Sequence, residues 1–124
     1  MDGLQPLRDS KSANNLLKKV ILQLNKDYGD DFLSAELERL DQLQHALINE
    51  LEVLMSCNVE KLMQWTYRMD LSQERVQRVL SGESWEHPME EMSTLMILRE
   101  LQKIQMRENW SKMLDSAPQT TQSY

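Results

Sequence analysis

The residues of this chain best suited to chemistry are two histidines and one cysteine. Asp41 and His45 are four positions apart, which places both side chains on one face of a helix. A carboxylate beside an imidazole is half of a metal site, and His87, with Glu83 and Glu86 nearby, offers a similar half. Because such residues are usually exposed, we interpret them as a surface pair and a loop histidine.

Neither a di-iron site nor a catalytic nucleophile is indicated. A di-iron bundle needs two Glu-x-x-His pairs, but Gln42 and Ser84 occupy the positions three before the histidines. Cys57 follows an apolar run at a predicted helix end, where a free cysteine is commonly a small hydrophobic residue; its reactivity stays open. Three glycines form no Gly-rich loop for phosphate. We therefore expect no catalytic residue, no metal and no cofactor.

The densest polar and aromatic cluster consists of Trp65, Tyr67, Arg68 and Asp70. Trp and Arg are favoured anchors at protein interfaces, so Trp65 and Arg68 are candidate interface residues. In the simpler interpretation, Asp70 caps a helix, at capping-box spacing from Gln73, and Arg68 holds the bend.

Composition and charge narrow the class of protein. The 124 residues suffice for one domain with one core, and 40% hydrophobic and 27% charged residues are typical of a soluble helical domain. The net charge of −6 argues against nucleic-acid binding. Lys11, Lys18 and Lys19 form the one close basic group at the amino end, which a solvated helical face explains. Without a visible secretory signal or spanning segment, we expect a cytoplasmic protein.

Apolar residues recur at helical spacing along most of the chain. A seam of leucines at 33, 37, 40, 47, 51 and 54 predicts a long helix from about 30–34 to 55. Before it, we predict a helix capped by Asn14 or Asn15, although residues 20–24 alone also fit a short strand. After it, Asn58 is expected to cap a third helix, and a short fourth helix is expected to end at Gly82.

A second long helix, from about 88 to 113, is apolar on more than one side. Residues 95–98 are all apolar and point all round a helix. One stripe, containing Ile97, Leu101 and Ile104, is expected to face the core. The second stripe, which we predict to be a homodimer interface, consists of Leu95, Leu98, Met106 and Trp110.

Two segments carry a resemblance to a known group. Residues 62–74 read Leu-Met-Gln-Trp-Thr-Tyr-Arg-Met-Asp-Leu-Ser-Gln-Glu, and residues 98–108 read Leu-Arg-Glu-Leu-Gln-Lys-Ile-Gln-Met-Arg-Glu. They resemble a group of small, all-helical bacterial proteins of unknown function, in which the segments read Tyr-Arg-Ile-Asp-Val-Ser-Glu and Arg-Gln-Leu-Gln-Lys-Ile-Lys-x-Arg. The chain departs from these patterns at Met69, Leu71 and Gln105. The resemblance covers roughly residues 33–110 and implies an all-α bacterial protein without a particular activity.

The sequence therefore predicts an all-α antiparallel helical bundle of four to five helices, two of them long. We expect a flexible leader (1–12), a single helical domain (13–114) and a disordered tail (115–124). The expected function is non-enzymatic protein–protein interaction or assembly, as a homodimer formed through the long helices and with another protein as a further possible partner. The alternative is a helical bundle that binds a small molecule or a metal and could be an enzyme. That alternative needs polar groups converging in the core, for which the seams offer Gln44, Gln102, Thr66 and His45.

Overall fold

The computed structural model describes residues 3–8, 13–29, 31–34, 36–82 and 87–116. In these ranges all regular structure is helical: a short 3-10 turn at Gln5–Leu7 and five α-helices. The α-helices are α1 (Ala13–Tyr28), α2 (Leu40–Cys57), α3 (Val59–Arg68), α4 (Gln73–Ser81) and α5 (Pro88–Ser116). The predicted all-α bundle with two long helices is confirmed.

α5 is the helix around which the others are arranged. α1, α2 and α4 all pack against it, and α3 packs against α1, α2 and α4. The polar contacts between α1 and α5 pair Lys19 with Glu108, Gln23 with Arg107, and Asp27 with Lys103. Because the order is reversed along the two helices, α1 and α5 are antiparallel.

The second helix begins later than the leucine spacing predicts. α2 starts at Leu40, and the described residues between 31 and 39 are irregular. Leu33 is nevertheless 4% exposed, because the Asn25 side chain binds its backbone on both sides. Asn25 Nδ2 donates to the Leu33 carbonyl at 3.1 Å, and the Leu33 N–H donates to Asn25 Oδ1 at 3.0 Å. These side-chain hydrogen bonds take the place of the backbone hydrogen bonds of a helix. Leu33 therefore lies in a loop, although its spacing from the other leucines is helical.

The predicted cap of α3 is confirmed, whereas the predicted cap of α1 is wrong. Residues 20–24 are helical, in agreement with the preferred interpretation, but α1 begins at Ala13, ahead of the predicted caps Asn14 and Asn15. Asn58 does cap α3, since its Oδ1 accepts a hydrogen bond from the Lys61 N–H at 3.1 Å.

The turn between α3 and α4 corrects the role predicted for Asp70. Ser72 caps α4 instead, accepting from the Arg75 N–H at 3.4 Å. Asp70 has φ of +61°, a left-handed conformation that Asp tolerates better than most residues. Its carboxylate accepts a hydrogen bond from Arg99 of α5 at 2.7 Å. Asp70 therefore fixes the corner to α5, while Gly82, at φ +74°, ends α4 as predicted.

The structure describes part of each end of the chain, and residues 1–2 and 9–12 of the expected leader lie outside the described residues. Leu4 and Leu7, in the segment expected to be a flexible leader, are 2% and 4% exposed. Gly3 lies against α5 so closely that a Cβ there would be 2.6 Å from Leu98 Cδ2. At the other end, α5 continues to Ser116, two residues into the expected tail. Residues 117–124 lie outside the described residues.

Truncating the core between α2 and α5 should destabilise the fold. Leu47 and Leu101 are 0% and 2% exposed. We expect Leu47→Ala or Leu101→Ala to lower the free energy of unfolding by about 2–5 kcal/mol, because each leaves a cavity. Urea denaturation followed by circular dichroism measures this loss. As a control, Leu22→Ala, at a side chain 69% exposed, should stay within about 0.5 kcal/mol of the unmutated protein. Equal stability of all three variants would contradict the packing described.

Candidate functional site

A row of large apolar side chains lies exposed near the end of α5. Ile104 is 5% exposed, and every side chain from 105 to 115 is exposed except that of Glu108, which is half-buried. The row, here called the α5 stripe, consists of Met106, Trp110, Met113 and Leu114, which are 64%, 61%, 61% and 58% exposed. Steps of four, three and one residues place the four side chains on one face of the helix.

The first half of the predicted interface stripe is half-buried within the fold. Leu95 and Leu98 are half-buried and pack against the core. Gly3 approaches Leu98, and the corner at Asp70 and Leu71 lies beside both leucines around a cavity of only about 140 Å³. The stripe predicted to run from Leu95 to Trp110 is therefore open only in its second half.

The other two interface candidates are engaged within the fold. Trp65 is 2% exposed and packs edge-on against Tyr28 and Phe32, with ring centroids 4.9 and 5.2 Å away. Arg68 is exposed, and its Nη1 donates to the carbonyl of Asp27 at 3.4 Å. Trp65 thus presents no surface to a partner, and Arg68 ties the end of α3 to the end of α1.

A surface cavity of about 390 Å³ lies between α1 and α3. Lys61 and Arg68 supply its positive charge, but both already contact α1. Lys61 Nζ lies 4.0 Å from the centroid of the Tyr28 ring, whose hydroxyl in turn donates to Glu50. Ligand pockets are mostly apolar with a few free polar groups, whereas the two cationic groups of this cavity are engaged with α1.

The described core contains one cluster of ionisable side chains, at the seam between α1 and α5. Lys103 Nζ lies 2.9 Å from Glu100 Oε1 and 3.6 Å from Asp27 Oδ2. Gln23 Nε2 donates to Asp27 Oδ1 at 3.4 Å. Among the described residues, Asp27 Oδ2 and Glu100 Oε2 receive no hydrogen bond, although both atoms are buried. One ammonium group therefore lies near two carboxyl groups, of which that of Glu100 is fully buried and that of Asp27 is 14% exposed.

Burial raises the pKa of the Glu100 carboxyl from 4.5 to about 7. The nearby Asp27 carboxylate raises this pKa further, and Lys103 opposes both effects. Since the Glu100 side chain is 0% exposed, it can contact no substrate, and its protonation bears on stability. The sequence contained a signal for it: Glu100 lies three residues after Ile97 and four before Ile104, in the register of the core.

The residues expected to be capable of chemistry are dispersed. Asp41, His45, Cys57 and His87 are all exposed, so Cys57 does not have the apolar environment predicted from its neighbours. Within the described ranges, no three His, Cys, Asp or Glu side chains come together as metal ligands. Residues 83–86, which include Glu83, Ser84 and Glu86, lie outside the described residues.

The polar residues considered for a ligand site in the core do not converge either. Thr66 is buried, but its hydroxyl donates to the Met63 carbonyl at 2.8 Å. His45 and Gln102 are exposed, and Gln44 is half-buried on α2.

None of the described helices is both long and apolar enough to cross a bilayer.

Comparison with family models, with curated proteins and with solved structures gives no match to this chain. The resemblance to small all-helical bacterial proteins stays a prediction.

Titration of Glu100 should make stability depend on pH. Because the folded carboxyl binds its proton more tightly than the unfolded one, the free energy of unfolding should fall as pH rises from about 4.5 to about 7. At about 1.4 kcal/mol per pKa unit, the fall contributed by Glu100 is of the order of 3 kcal/mol. Glu100→Gln, which cannot ionise, should flatten this part of the curve and be the more stable protein at pH values well above 7.

The measurement is chemical denaturation at a series of pH values, with Glu108→Gln as the matched control. Glu108 is on the same helix, but a hydrogen bond from Lys19 lowers its pKa below 4.5, so its removal should leave the slope above that pH unchanged. Parallel curves for Glu100→Gln and the unmutated protein would contradict the assignment.

Proposed function

We propose that this chain is a non-enzymatic protein-interaction or assembly protein that self-associates as a homodimer through the α5 stripe. The observation that carries the proposal is the exposure of Met106, Trp110, Met113 and Leu114 on one face of a helix whose preceding half is buried. Large apolar side chains grouped on one surface are characteristic of interaction sites, and Trp and Met are enriched there.

Charge favours a second copy of the chain as the occupant of the stripe. The whole chain has a net charge of −6, so two copies repel over most orientations. Residues 105–115 contain two basic residues, Arg107 and Lys112, and two acidic residues, Glu108 and Asp115. This segment is neutral and can meet its own copy without net repulsion. Pairing about a two-fold axis, the commonest symmetry of oligomers, buries the stripe of both copies at once.

The size of the stripe supports a reversible dimer rather than a permanent one. α5 continues from Ile104 to Ser116, about 18 Å at 1.5 Å per residue. The four exposed side chains offer on the order of 400–500 Å² per copy, roughly half the area of a standard interface. We therefore expect association that depends on concentration. A lone, exposed Cys57 is compatible with a reducing compartment, and we propose the cytoplasm.

The self-association can be measured by light scattering over a concentration series from micromolar to millimolar. The mass should rise from that of the 14.6 kDa chain towards twice that value. Trp110→Glu should weaken dimerisation by at least about tenfold, because a charge replaces the largest apolar side chain of the stripe. Circular dichroism should show unchanged helicity, since Trp110 is 61% exposed.

Leu22→Glu is the matched control, because Leu22 is 69% exposed but lies on α1. It should dimerise like the unmutated protein. A monomeric mass for the unmutated chain at millimolar concentration, or equal loss of dimer in both variants, would overturn the proposal.

A further inference from the structure

A second surface lies in the groove between α1 and α5, here called the α1–α5 groove. It encloses about 330 Å³, and its apolar lining comes from Leu22 and Ile104. It is not part of the α5 stripe: Ile104 and Met106 are two residues apart, which separates their directions by about 160° round the helix. Ile104 and Met106 therefore face different sides of α5, and the two surfaces adjoin at Arg107, which lies one turn before Trp110.

The groove is basic in an acidic protein. Lys18, Lys19 and Lys26 are exposed and lie three or four positions from Leu22, so they surround it on the same face of α1. Arg107 lines the opposite wall, held by a 2.9 Å hydrogen bond to Gln23. Among the residues lining the groove, the one acid is Glu108, and its charge is already matched by Lys19 at 2.5 Å. Lys26 and Arg107 leave a net positive charge beside an exposed leucine.

We propose that the α1–α5 groove docks an acidic amphipathic helix of another protein. An apolar side chain of that helix would contact Leu22 and enter the groove towards Ile104, while flanking carboxylates would face Lys18, Lys26 and Arg107. This pairing of an apolar anchor with a complementary charged rim follows the general anatomy of helix-in-groove recognition. The inference concerns a different surface from the one proposed for self-association, and does not depend on it.

Charge and shape favour this occupant over three others. A membrane-binding helix presents a row of apolar side chains, whereas this face has one exposed leucine above a concavity. Nucleic-acid phosphates gain nothing from an apolar lining. In the proposed dimer a second copy presents residues 105–115, which are neutral overall and do not complement a basic rim.

The test uses two synthetic helical peptides with the same leucine spacing, one with glutamate and one with lysine at the flanking positions. Binding is measured by fluorescence anisotropy of the labelled peptide at low and high salt. We expect the glutamate peptide to bind at least about tenfold tighter than the lysine peptide and to weaken as salt rises. Lys26→Glu should weaken its binding by about tenfold, and Leu22→Glu should do so as well.

Two variants serve as controls. Arg75→Glu makes the same change in net charge at an exposed residue of α4, and should bind the glutamate peptide like the unmutated protein. Trp110→Ala, which removes the anchor of the α5 stripe without adding a charge near Arg107, should also bind it normally. The peptide result is thus separable from the test of self-association.

Three results would overturn the inference. The first is equal binding of both peptides, or equal weakening by Lys26→Glu and Arg75→Glu, which would indicate non-specific charge attraction. The second is loss of peptide binding in Trp110→Ala, which would assign the peptide to the α5 stripe. The third is co-sedimentation with phosphatidylglycerol vesicles that requires Lys26 while the glutamate peptide does not bind, which would make the groove a membrane contact.

Discussion

The length of α5 relative to its neighbours is the constraint on which the rest of this structure depends. α5 has 29 residues and is about 44 Å long, whereas α2 has 18 and α1 has 16. Helices this much shorter can enclose only part of α5. Its first half, as far as Ile104, is buried among α1, α2, α4 and the turn near Leu4, and it is apolar on several sides for that reason. The part of α5 after Ile104 extends beyond the other helices, so the α5 stripe lies outside the bundle. This exposed stripe is the basis of the proposed function.

The enclosed half of α5 is not wholly apolar, because it contains the buried carboxyl group of Glu100. Glu100 occupies a core position, where a leucine would pack without a desolvation penalty. Its contact with Lys103, and through Lys103 with Asp27, links α5 to α1 at one level of the bundle. The Lys19–Glu108 and Gln23–Arg107 contacts lie further out along the same seam between α1 and α5. The row of polar contacts that begins in the core therefore also holds the wall of the α1–α5 groove in place.

The spacing of apolar residues predicted the helical elements well, because residues on the buried face of a helix recur every three or four positions. It located α3, α4 and α5 closely and identified Met106 and Trp110 as exterior to the core. It failed where a tertiary contact decides the local structure. Leu33 has helical spacing, yet Asn25 holds its backbone in a loop. Leu95 and Leu98 look like an open stripe, yet both are half-buried against the core, and Leu98 is approached by Gly3, which is distant in sequence. The burial of Trp65 likewise depends on aromatic neighbours from α1 and the following loop.

Pairing of two copies through the projecting part of α5 is tested most directly by nuclear magnetic resonance on a mixed sample. Half of the protein carries isotope-labelled methionine methyl groups, and the other half is unlabelled. An isotope-filtered experiment then detects contacts between copies only. The account predicts such contacts for the methyl groups of Met106 and Met113, which are 64% and 61% exposed, and none for those of Met92 and Met96, which are 0% exposed. Absence of contacts at Met106 and Met113 at millimolar concentration, or contacts arising from other methionines alone, would contradict it.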